Sequence, residues 1–179
     1  MSLLRIPVTP ADHIQGPDDA PVTMVEYGDY ECPYCGLAFP NVKLAQKRFG
    51  KKLRFVFRHF PLTEVHPFAE AAAEAAEYAG THNLFWKMHD GLYTNQNELG
   101  LPLILTLGSA LGLSDLGLRD ALAKQRFAAK IQADFLGGVR SGVNGTPAFF
   151  INGEKHEGSY LYQELAAAID AHLQAIPAR

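Results

Sequence analysis

Two cysteines, the chain's only ones, stand in a single tetrapeptide, Cys32-Pro33-Tyr34-Cys35. An apolar run over residues 22–27, typical of a buried strand, precedes the tetrapeptide, and a helical pattern follows it. A CxxC pair at the start of a helix has the spacing that closes and opens one disulfide reversibly. By itself it is a poor zinc site, because structural zinc takes four ligands. The motif therefore constrains the chain to a fold that places a strand, a turn and a helix in this order.

The residues around the motif predict a strand–helix–strand unit. A helix is expected over residues 32–48, interrupted by Pro40, and an apolar strand is expected over residues 53–60. Because the connections between the three elements are short, they predict a right-handed βαβ unit whose two strands are parallel.

The rest of the chain divides into a helical stretch and a ββα ending. Residues 62–142 show helical periodicity and no strand pattern, and Ser114 is expected to cap a long helix that continues to Phe135. Residues 148–151 predict a strand, and the Asn-Gly pair after them predicts a tight hairpin. A final helix is expected to be capped by Ser159.

Composition and charge narrow the class of protein. Of the 179 residues, 47% are hydrophobic and 20% are charged, as in an ordinary soluble globular protein. The net charge of −3 gives no reason to expect a nucleic-acid or membrane partner, and no apolar run reaches the roughly 18 residues of a spanning helix. The first residues lack the apolar stretch of a signal peptide. The sequence as written therefore predicts a cytoplasmic monomer, or a periplasmic one if an export signal has been removed.

Four features, in this order, carry a resemblance to a known family. Glu26 precedes Cys32 by six residues, Pro40 follows Cys35 by five, and Gly-Thr-Pro at 145–147 stands just before the predicted hairpin. With the CxxC pair as the fourth feature, the chain resembles the DsbA-like thiol-disulfide oxidoreductases of the thioredoxin superfamily over nearly its whole length.

The resemblance implies an α/β protein with the thioredoxin fold (βαβ…ββα) and an inserted all-helical subdomain. Residues 21–61 and 143–179 would form the thioredoxin-like domain, residues 62–142 the insertion, and residues 1–20 an extended lead-in.

Cys32 is the candidate nucleophile. At a helix N-terminus its thiolate faces unpaired N–H groups and the positive end of the helix dipole, and the pKa of such thiols is roughly 3.5–7.5. We therefore expect Cys32 to be exposed and reactive, and Cys35, one turn further on, to be less exposed and to resolve mixed disulfides. The alternative is a static disulfide or an inert buried pair.

Pro33 and Tyr34, between the cysteines, are expected to tune the redox couple. Pro33 holds the turn that opens the helix. Tyr34 stands where the best-known oxidants of this family have histidine, and it cannot carry the positive charge that would stabilise the thiolate. This predicts a weaker oxidant, within the span of about −270 to −120 mV that the superfamily covers but away from its oxidising end. The alternative role of Tyr34 is that of a surface aromatic that contacts substrates.

Glu26 is a candidate proton acceptor. It lies in an apolar strand that should be covered on both faces, and a buried carboxylate is costly unless it is paired or protonated. Burial would raise its pKa and allow it to take the proton of Cys35 when that thiol attacks a mixed disulfide. The alternative is a carboxylate that pairs with a neighbouring Lys or Arg, or that is solvated at a strand end.

Thr146 and Pro147 are candidate substrate-binding residues. The family resemblance implies a cis peptide bond between them and a position opposite Cys32. An extended substrate could pair with the backbone of Thr146 and present its sulfur to Cys32. The alternative is that Pro147 merely begins a strand.

These residues predict an enzyme that exchanges disulfides with protein or peptide substrates through a mixed disulfide at Cys32. The reaction needs no cofactor, and glutathione or a redox partner protein would supply or remove electrons. A disulfide isomerase or reductase of the same fold is one alternative, although the roughly 20 residues before the first strand are too few for a dimerisation domain. A module that binds a metal or an iron–sulfur cluster through the two cysteines is another.

A zinc site built from both cysteines and two histidines is a further alternative. The histidines concerned are His59, His66 and His89. Their spacing shows no paired arrangement, so no metal ligand is predicted.

Overall fold

The computed structural model describes residues 2–175. Residue 1 and residues 176–179, which include the end of the predicted segment 143–179, lie outside the described residues. The strands are β1 (His13–Gln15), β2 (Val22–Gly28), β3 (Leu53–His59), β4 (Ala148–Ile151) and β5 (Glu154–Lys155). The helices are α1 (Pro33–Phe49), α2 (Ala69–Gly80), α3 (Phe85–Thr94), α4 (Leu101–Ala110), α5 (Asp115–Ala123), α6 (Ala128–Arg140) and α7 (Tyr162–Gln174).

The five strands form one mixed sheet in the order β1-β3-β2-β4-β5. Strands β2 and β3 are parallel, with Val22 opposite Leu53, as the βαβ pattern predicts. Strand β4 runs antiparallel to β2, and β5 returns along β4 after a turn in which both central residues have positive φ, as a type I′ hairpin requires. Strand β1 was not predicted. Its three residues are too few to show a period, and its pairing with β3 depends on tertiary contacts.

Both faces of the central strands are buried, since helices cover each side of the sheet. Met24 and Phe57 point into the larger core, against α1, α3 and α7. Val25 and Val56 point to the opposite face, where Phe135 of α6 packs. Side chains on both faces of β2 are therefore removed from water, which is the environment predicted for Glu26.

The connection from β3 to β4 is helical, as expected, but the predicted long helix from Ser114 is two helices, α5 and α6, so the connection contains five helices. Ser114 does cap α5, since its hydroxyl accepts a hydrogen bond from the Gly117 N–H at 3.1 Å. The helix then stops in a left-handed turn at Gln125, where the Arg126 N–H bonds the Ala121 carbonyl. Glycine usually signals this turn, and glutamine gives no such signal.

The start of the last helix also differs from the prediction. Leu161, not Ser159, precedes the first turn of α7. The Ser159 hydroxyl accepts from the Leu161 N–H at 3.2 Å, so it fixes the approach to the helix instead of capping it. No helix within residues 2–175 combines the length and the apolar character of a membrane span.

Candidate active site

The cysteine pair sits at the junction of β2 and α1. Cys32 is the last residue before the helix, with extended backbone angles, and Pro33 occupies the first helical position, where its missing N–H leaves no partner unsatisfied. Both cysteines are free thiols. Cys32 is 4% exposed and Cys35 is fully buried. The expected order of exposure is present, but the expectation of an exposed Cys32 is wrong, because the loop before β4 covers its sulfur.

Local hydrogen bonds stabilise the thiolate of Cys32. The largest contribution is a hydrogen bond from the Cys35 thiol, and the N–H groups of Cys35 and Tyr34 add to it at the helix N-terminus. The Thr146 hydroxyl contributes too, and burial opposes all of these effects. Together they lower the pKa of Cys32 to about 5.

Cys35 has the opposite character. Burial and the hydrogen bond that it donates to Cys32 raise the pKa of Cys35 well above its ordinary value, and the charges of Glu26 and Cys32 act in the same direction. The Asp29 N–H, 3.4 Å from the Cys35 sulfur, opposes this rise only in part. One thiol is therefore an anion at neutral pH, while its neighbour keeps its proton.

Glu26 is 3% exposed, between Phe57 and Phe149 on the flanking strands. Burial raises the pKa of its carboxyl to about 8, and the negative charge of Cys32 adds to the rise. The positive charge of Lys43 lowers it, but the Lys43 ammonium pairs with Asp90 at 2.7 Å. The burial and the raised pKa that the sequence predicts are thus present in this strand.

The loop before β4 approaches the cysteine pair. The peptide bond between Thr146 and Pro147 is cis, as the family resemblance implies. The backbone oxygen of Thr146 lies 3.4 Å from the Cys32 sulfur. The Thr146 hydroxyl is buried and makes no hydrogen bond within residues 2–175, although the Thr146 side chain contributes to the lowered pKa of Cys32.

Tyr34 and its surroundings form the accessible surface beside the motif. The Tyr34 side chain is 60% exposed and lies near the ring of Tyr160. Leu37 and Leu161 are also more than half exposed. A cleft next to the motif is lined by Pro33, Leu37 and residues of α3 and the turn after it. This surface presents exposed apolar side chains and is open to an extended chain.

Gln96 is a site residue that the sequence did not predict. Its side-chain amide, in the turn after α3, donates to the carbonyl of Tyr30 at 2.8 Å and to the carbonyl of Cys32 at 2.9 Å. A Cβ atom on Gly36 would lie 2.1 Å from the Gln96 Oε1, so the close approach requires glycine at this position. Gly36 inside a predicted helix was the only available signal, and it does not identify the partner.

Asp29 was missed as well. Its buried carboxylate accepts from the N–H groups of Glu31 and Leu62, each at 2.8 Å, and lies 2.7 Å from Nδ1 of His66. It therefore ties the turn that leads to the cysteines to the connection between β3 and α2. A short acidic residue at a strand end fits many roles, so its sequence position alone does not reveal this one.

The structure does not assemble the zinc site considered from the sequence. His66 contacts Asp29, His89 bonds the Tyr30 hydroxyl through Nδ1, and His59 bonds Glu77. Within residues 2–175, the metal-ligating side chains that converge are those of His13, His59 and Glu77, and neither cysteine belongs to that group.

Comparison with known proteins yields a family and a set of related structures. The family model described as "Thioredoxin" matches residues 8–171. A curated relative, the Na(+)/H(+) antiporter NhaA 1 of Salinispora arenicola, is 49% identical over 167 residues, which cover 93% of this chain and 26% of that protein. The chain thus spans about a quarter of the curated relatives that it matches.

Three solved structures are similar over almost the whole chain. BdbD from Bacillus subtilis, in its oxidised form, has a TM-score of 0.86 at 24% identity, with 97% of this chain and 99% of that chain covered. A thioredoxin-like oxidoreductase from Silicibacter pomeroyi has a TM-score of 0.80 at 25% identity, with coverage of 94% and 95%. The alpha-DsbA1 protein from Wolbachia pipientis has a TM-score of 0.80 at 23% identity, with coverage of 96% of each chain.

Proposed function

Since this chain belongs to the thioredoxin family, we propose that it is a thiol–disulfide oxidoreductase that acts on protein or peptide substrates. The predicted fold, an α/β thioredoxin fold of the DsbA-like type, is confirmed by the family match and by the similar structures. The fold alone does not decide the activity, because one fold can support several functions. The proposal therefore depends on the residues of the candidate site.

The observation that carries the proposal is the contrast between the two thiols. The pKa of Cys32 is lowered to about 5, while that of Cys35 is raised by burial. A thiolate is the nucleophile and the better leaving group in disulfide exchange, so Cys32 is suited to form and release mixed disulfides. A protonated, buried Cys35 is protected from external disulfides and is suited to an intramolecular attack.

In the oxidising direction, a substrate thiolate attacks Cys32 of the Cys32–Cys35 disulfide. The disulfide breaks, a new sulfur–sulfur bond joins the substrate to Cys32, and Cys35 leaves and takes up a proton. A second substrate thiolate then attacks the substrate sulfur, and Cys32 leaves as a thiolate. The substrate loses two electrons and gains a disulfide, and the cysteine pair gains both electrons. The reducing direction reverses each step.

Glu26 is the proposed proton carrier for Cys35. With a pKa of about 8, its carboxyl can both accept and return a proton near neutral pH. Its charge raises the pKa of Cys35, so an ionised Glu26 favours the proton on Cys35. When Cys35 attacks a mixed disulfide, its proton would pass to the Glu26 carboxylate, directly or through a water molecule.

Thr146 and Pro147 are the proposed substrate-binding residues. A substrate strand paired with the backbone beside Thr146 would bring its sulfur close to Cys32, because the Thr146 oxygen is 3.4 Å from that sulfur. The exposed side chains of Tyr34 and Leu161 would contact apolar residues on either side of the substrate cysteine.

Covalent trapping tests the proposal. In Cys35→Ser the Cys32 thiolate can still attack a substrate disulfide, but Cys35 cannot attack the resulting mixed disulfide, so substrate proteins should remain bound to Cys32 and should be released by dithiothreitol. Cys32→Ser is the matched control and should trap nothing. Equal trapping by both variants, or full turnover by Cys35→Ser, would contradict the assigned roles.

The similarity to antiporter proteins favours a second role for the same chemistry. Relatives named NhaA contain a segment like this chain within a protein about four times as long. We propose that this segment acts there as a redox module. Na⁺/H⁺ exchange by the Salinispora arenicola protein should then differ between reducing and oxidising conditions, and serine substitution of any cysteines that align with Cys32 and Cys35 should abolish the difference.

A further inference from the structure

Three side chains from separate elements meet on the sheet face that α2 covers. His13 of β1 lies opposite Phe57 of β3, and His59 lies two residues further along β3, so both imidazoles project from the same face. Glu77, from the last turns of α2, reaches between them. None of these residues takes part in the proposed thiol chemistry.

The distances among their ligand atoms match those around a single metal ion. The Glu77 Oε1 is 2.8 Å from Nε2 of His13 and 2.9 Å from Nε2 of His59. All three ligand atoms lie within 4.8 Å of one another. Ligands at about 2.0–2.1 Å from a tetrahedral zinc ion are separated from each other by roughly 3.3 Å. The three atoms therefore need only small displacements to enclose an ion.

The surroundings hold the rings in place and leave one approach. The His13 ring stacks on Phe85 with its centroid 3.4 Å away, and the His59 ring packs edge-on against Phe57. The side chain of His59 is 1% exposed and that of Glu77 is 9% exposed, whereas that of His13 is 19% exposed. Water and ions can therefore reach the cluster from the His13 side.

The charge of the cluster suits a divalent cation. Burial opposes ionisation of Glu77, but hydrogen bonds from both histidines outweigh it and hold the pKa of Glu77 below its ordinary value. This carboxylate is therefore an anion at neutral pH. Two imidazoles and one carboxylate, with a fourth position left to water, form a zinc ligand set known in proteins. Imidazole nitrogen also suits nickel and copper.

We propose that His13, His59 and Glu77 form a binding site for a divalent transition-metal ion of the zinc type. The ion would take the place of the two shared protons between the imidazoles and the carboxylate, and each neutral imidazole would then carry its proton on Nδ1. Because the site contains neither cysteine, it would bind metal in both redox states of the protein. It would join the edge strand β1 to β3 and α2.

Metal titration of the oxidised full chain tests the site, because the closed Cys32–Cys35 disulfide leaves no thiolate ligand. We expect calorimetry with ZnCl₂ to give one ion per chain. Binding should weaken at least tenfold in His13→Gln and in Glu77→Gln. His156, which follows β5 at the opposite edge of the sheet, provides the matched control, and His156→Gln should bind as the original protein does. Co²⁺ should give the absorption of a site with nitrogen and oxygen ligands, without a sulfur-to-metal charge-transfer band.

Two outcomes would overturn the proposal. The first is no stoichiometric binding by the folded, oxidised protein. The second is equal binding by the original protein and by His13→Gln, which changes a half-buried side chain on an edge strand and should leave the fold intact. Circular dichroism of each variant checks the fold, and His13→Gln decides the question if Glu77→Gln does not fold.

Discussion

The sulfur of Cys32 lies 3.4 Å from the backbone oxygen of Thr146, a residue 114 positions later in the chain. This contact joins the start of α1, at the motif, to the loop that precedes β4. It partly covers the nucleophile, and the Thr146 side chain contributes to the lowered pKa of Cys32. Any substrate that reaches Cys32 must therefore pass beside this loop.

The first prediction concerns the reactivity of the two thiols. Since the pKa of Cys32 is about 5, its alkylation by iodoacetamide should rise through a midpoint near pH 5 and stay high at neutral pH. Cys35, with a raised pKa, should remain unmodified over this range. Mass spectrometry of proteolysed samples distinguishes the two sites. A midpoint near about 8.5, the value of an ordinary thiol, would refute the activation of Cys32.

The second prediction concerns the redox couple. A thiolate pKa of about 5 lies between the roughly 7 of a −270 mV couple and the roughly 3.5 of a −120 mV couple, which places this couple at about −180 mV. Tyr34→His should move the potential towards the oxidising end, because a protonated imidazole would stabilise the thiolate further. Equilibration with glutathione measures both values. An unchanged reduction potential in Tyr34→His would show that residue 34 does not tune the redox couple.

The third prediction isolates the Thr146 hydroxyl. Thr146→Val keeps the shape of the side chain but removes a donor to the thiolate, so the pKa of Cys32 should rise. Loss of thiolate stabilisation disfavours the reduced form, and the potential should become more negative by about 30 mV for each unit of pKa. Thr146→Ser retains the hydroxyl and serves as the control. If the pKa of Cys32 is the same in the valine and serine variants, the Thr146 hydroxyl does not stabilise the thiolate and the side chain contributes packing alone.

The fourth prediction concerns the stability of Glu26→Gln. The folded protein holds the Glu26 proton up to about pH 8, whereas the unfolded chain releases it near pH 4.5. The folded state therefore binds more protons in this window, and its stability falls as the pH rises from about 4.5 to 8. The stability of the glutamine variant does not fall in this way, because glutamine does not titrate. Its advantage in the free energy of unfolding should grow across the window to a few kcal/mol, at about 1.4 kcal/mol per unit of pKa.

The same substitution tests the proton transfer. Single-turnover resolution of a mixed disulfide on Cys32 should slow by roughly 10- to 100-fold at pH 7 in Glu26→Gln, since the attacking thiol loses its acceptor. Denaturation curves at about pH 5 and pH 8 measure the stability part. If the stability difference appears but the resolution rate is unchanged, Glu26 is a buried acid without a role in catalysis.

The fifth prediction assigns a positioning role to Gln96. Removal of its amide in Gln96→Leu leaves the carbonyls of Tyr30 and Cys32 without this donor, and their negative ends should then raise the pKa of Cys32. The potential should become more negative in parallel. Asn97→Leu, at the exposed neighbouring position, is the control and should change neither value. Equal values of the Cys32 pKa and of the reduction potential in the two variants would contradict the positioning role of Gln96.

Local patterns predicted most of the fold. The parallel strands β2 and β3, the helix after the motif and the Asn-Gly hairpin each depend on residues close together in sequence, and all are present. Elements that depend on distant partners were not predicted. Strand β1 is defined by its pairing with β3, and the division of the predicted long helix rests on a left-handed glutamine.

The residues of the candidate site also fall into a group that local sequence predicts and a group that depends on distant partners. The motif and its position at a helix N-terminus identify both cysteines, and burial in a two-sided strand identifies Glu26 as an acid with a raised pKa. Gln96 and Asp29 form hydrogen bonds with residues in other segments of the chain. Such bonds leave no periodic pattern in the sequence around Gln96 or Asp29. The degree to which Cys32 is covered also depends on a distant loop and could not be predicted from the motif.

Gln96 sits in the helical region between β3 and β4, yet its amide holds the turn that carries the nucleophile. The connection from β3 to α2 contributes in the same way through its bonds to Asp29. A shortened version of the protein that joins β3 directly to β4 would lose these supports even if the remaining sheet still folded. Attempts to reduce this chain to a minimal scaffold should therefore retain residues 62–96, since the reactive sulfur depends on them for its setting.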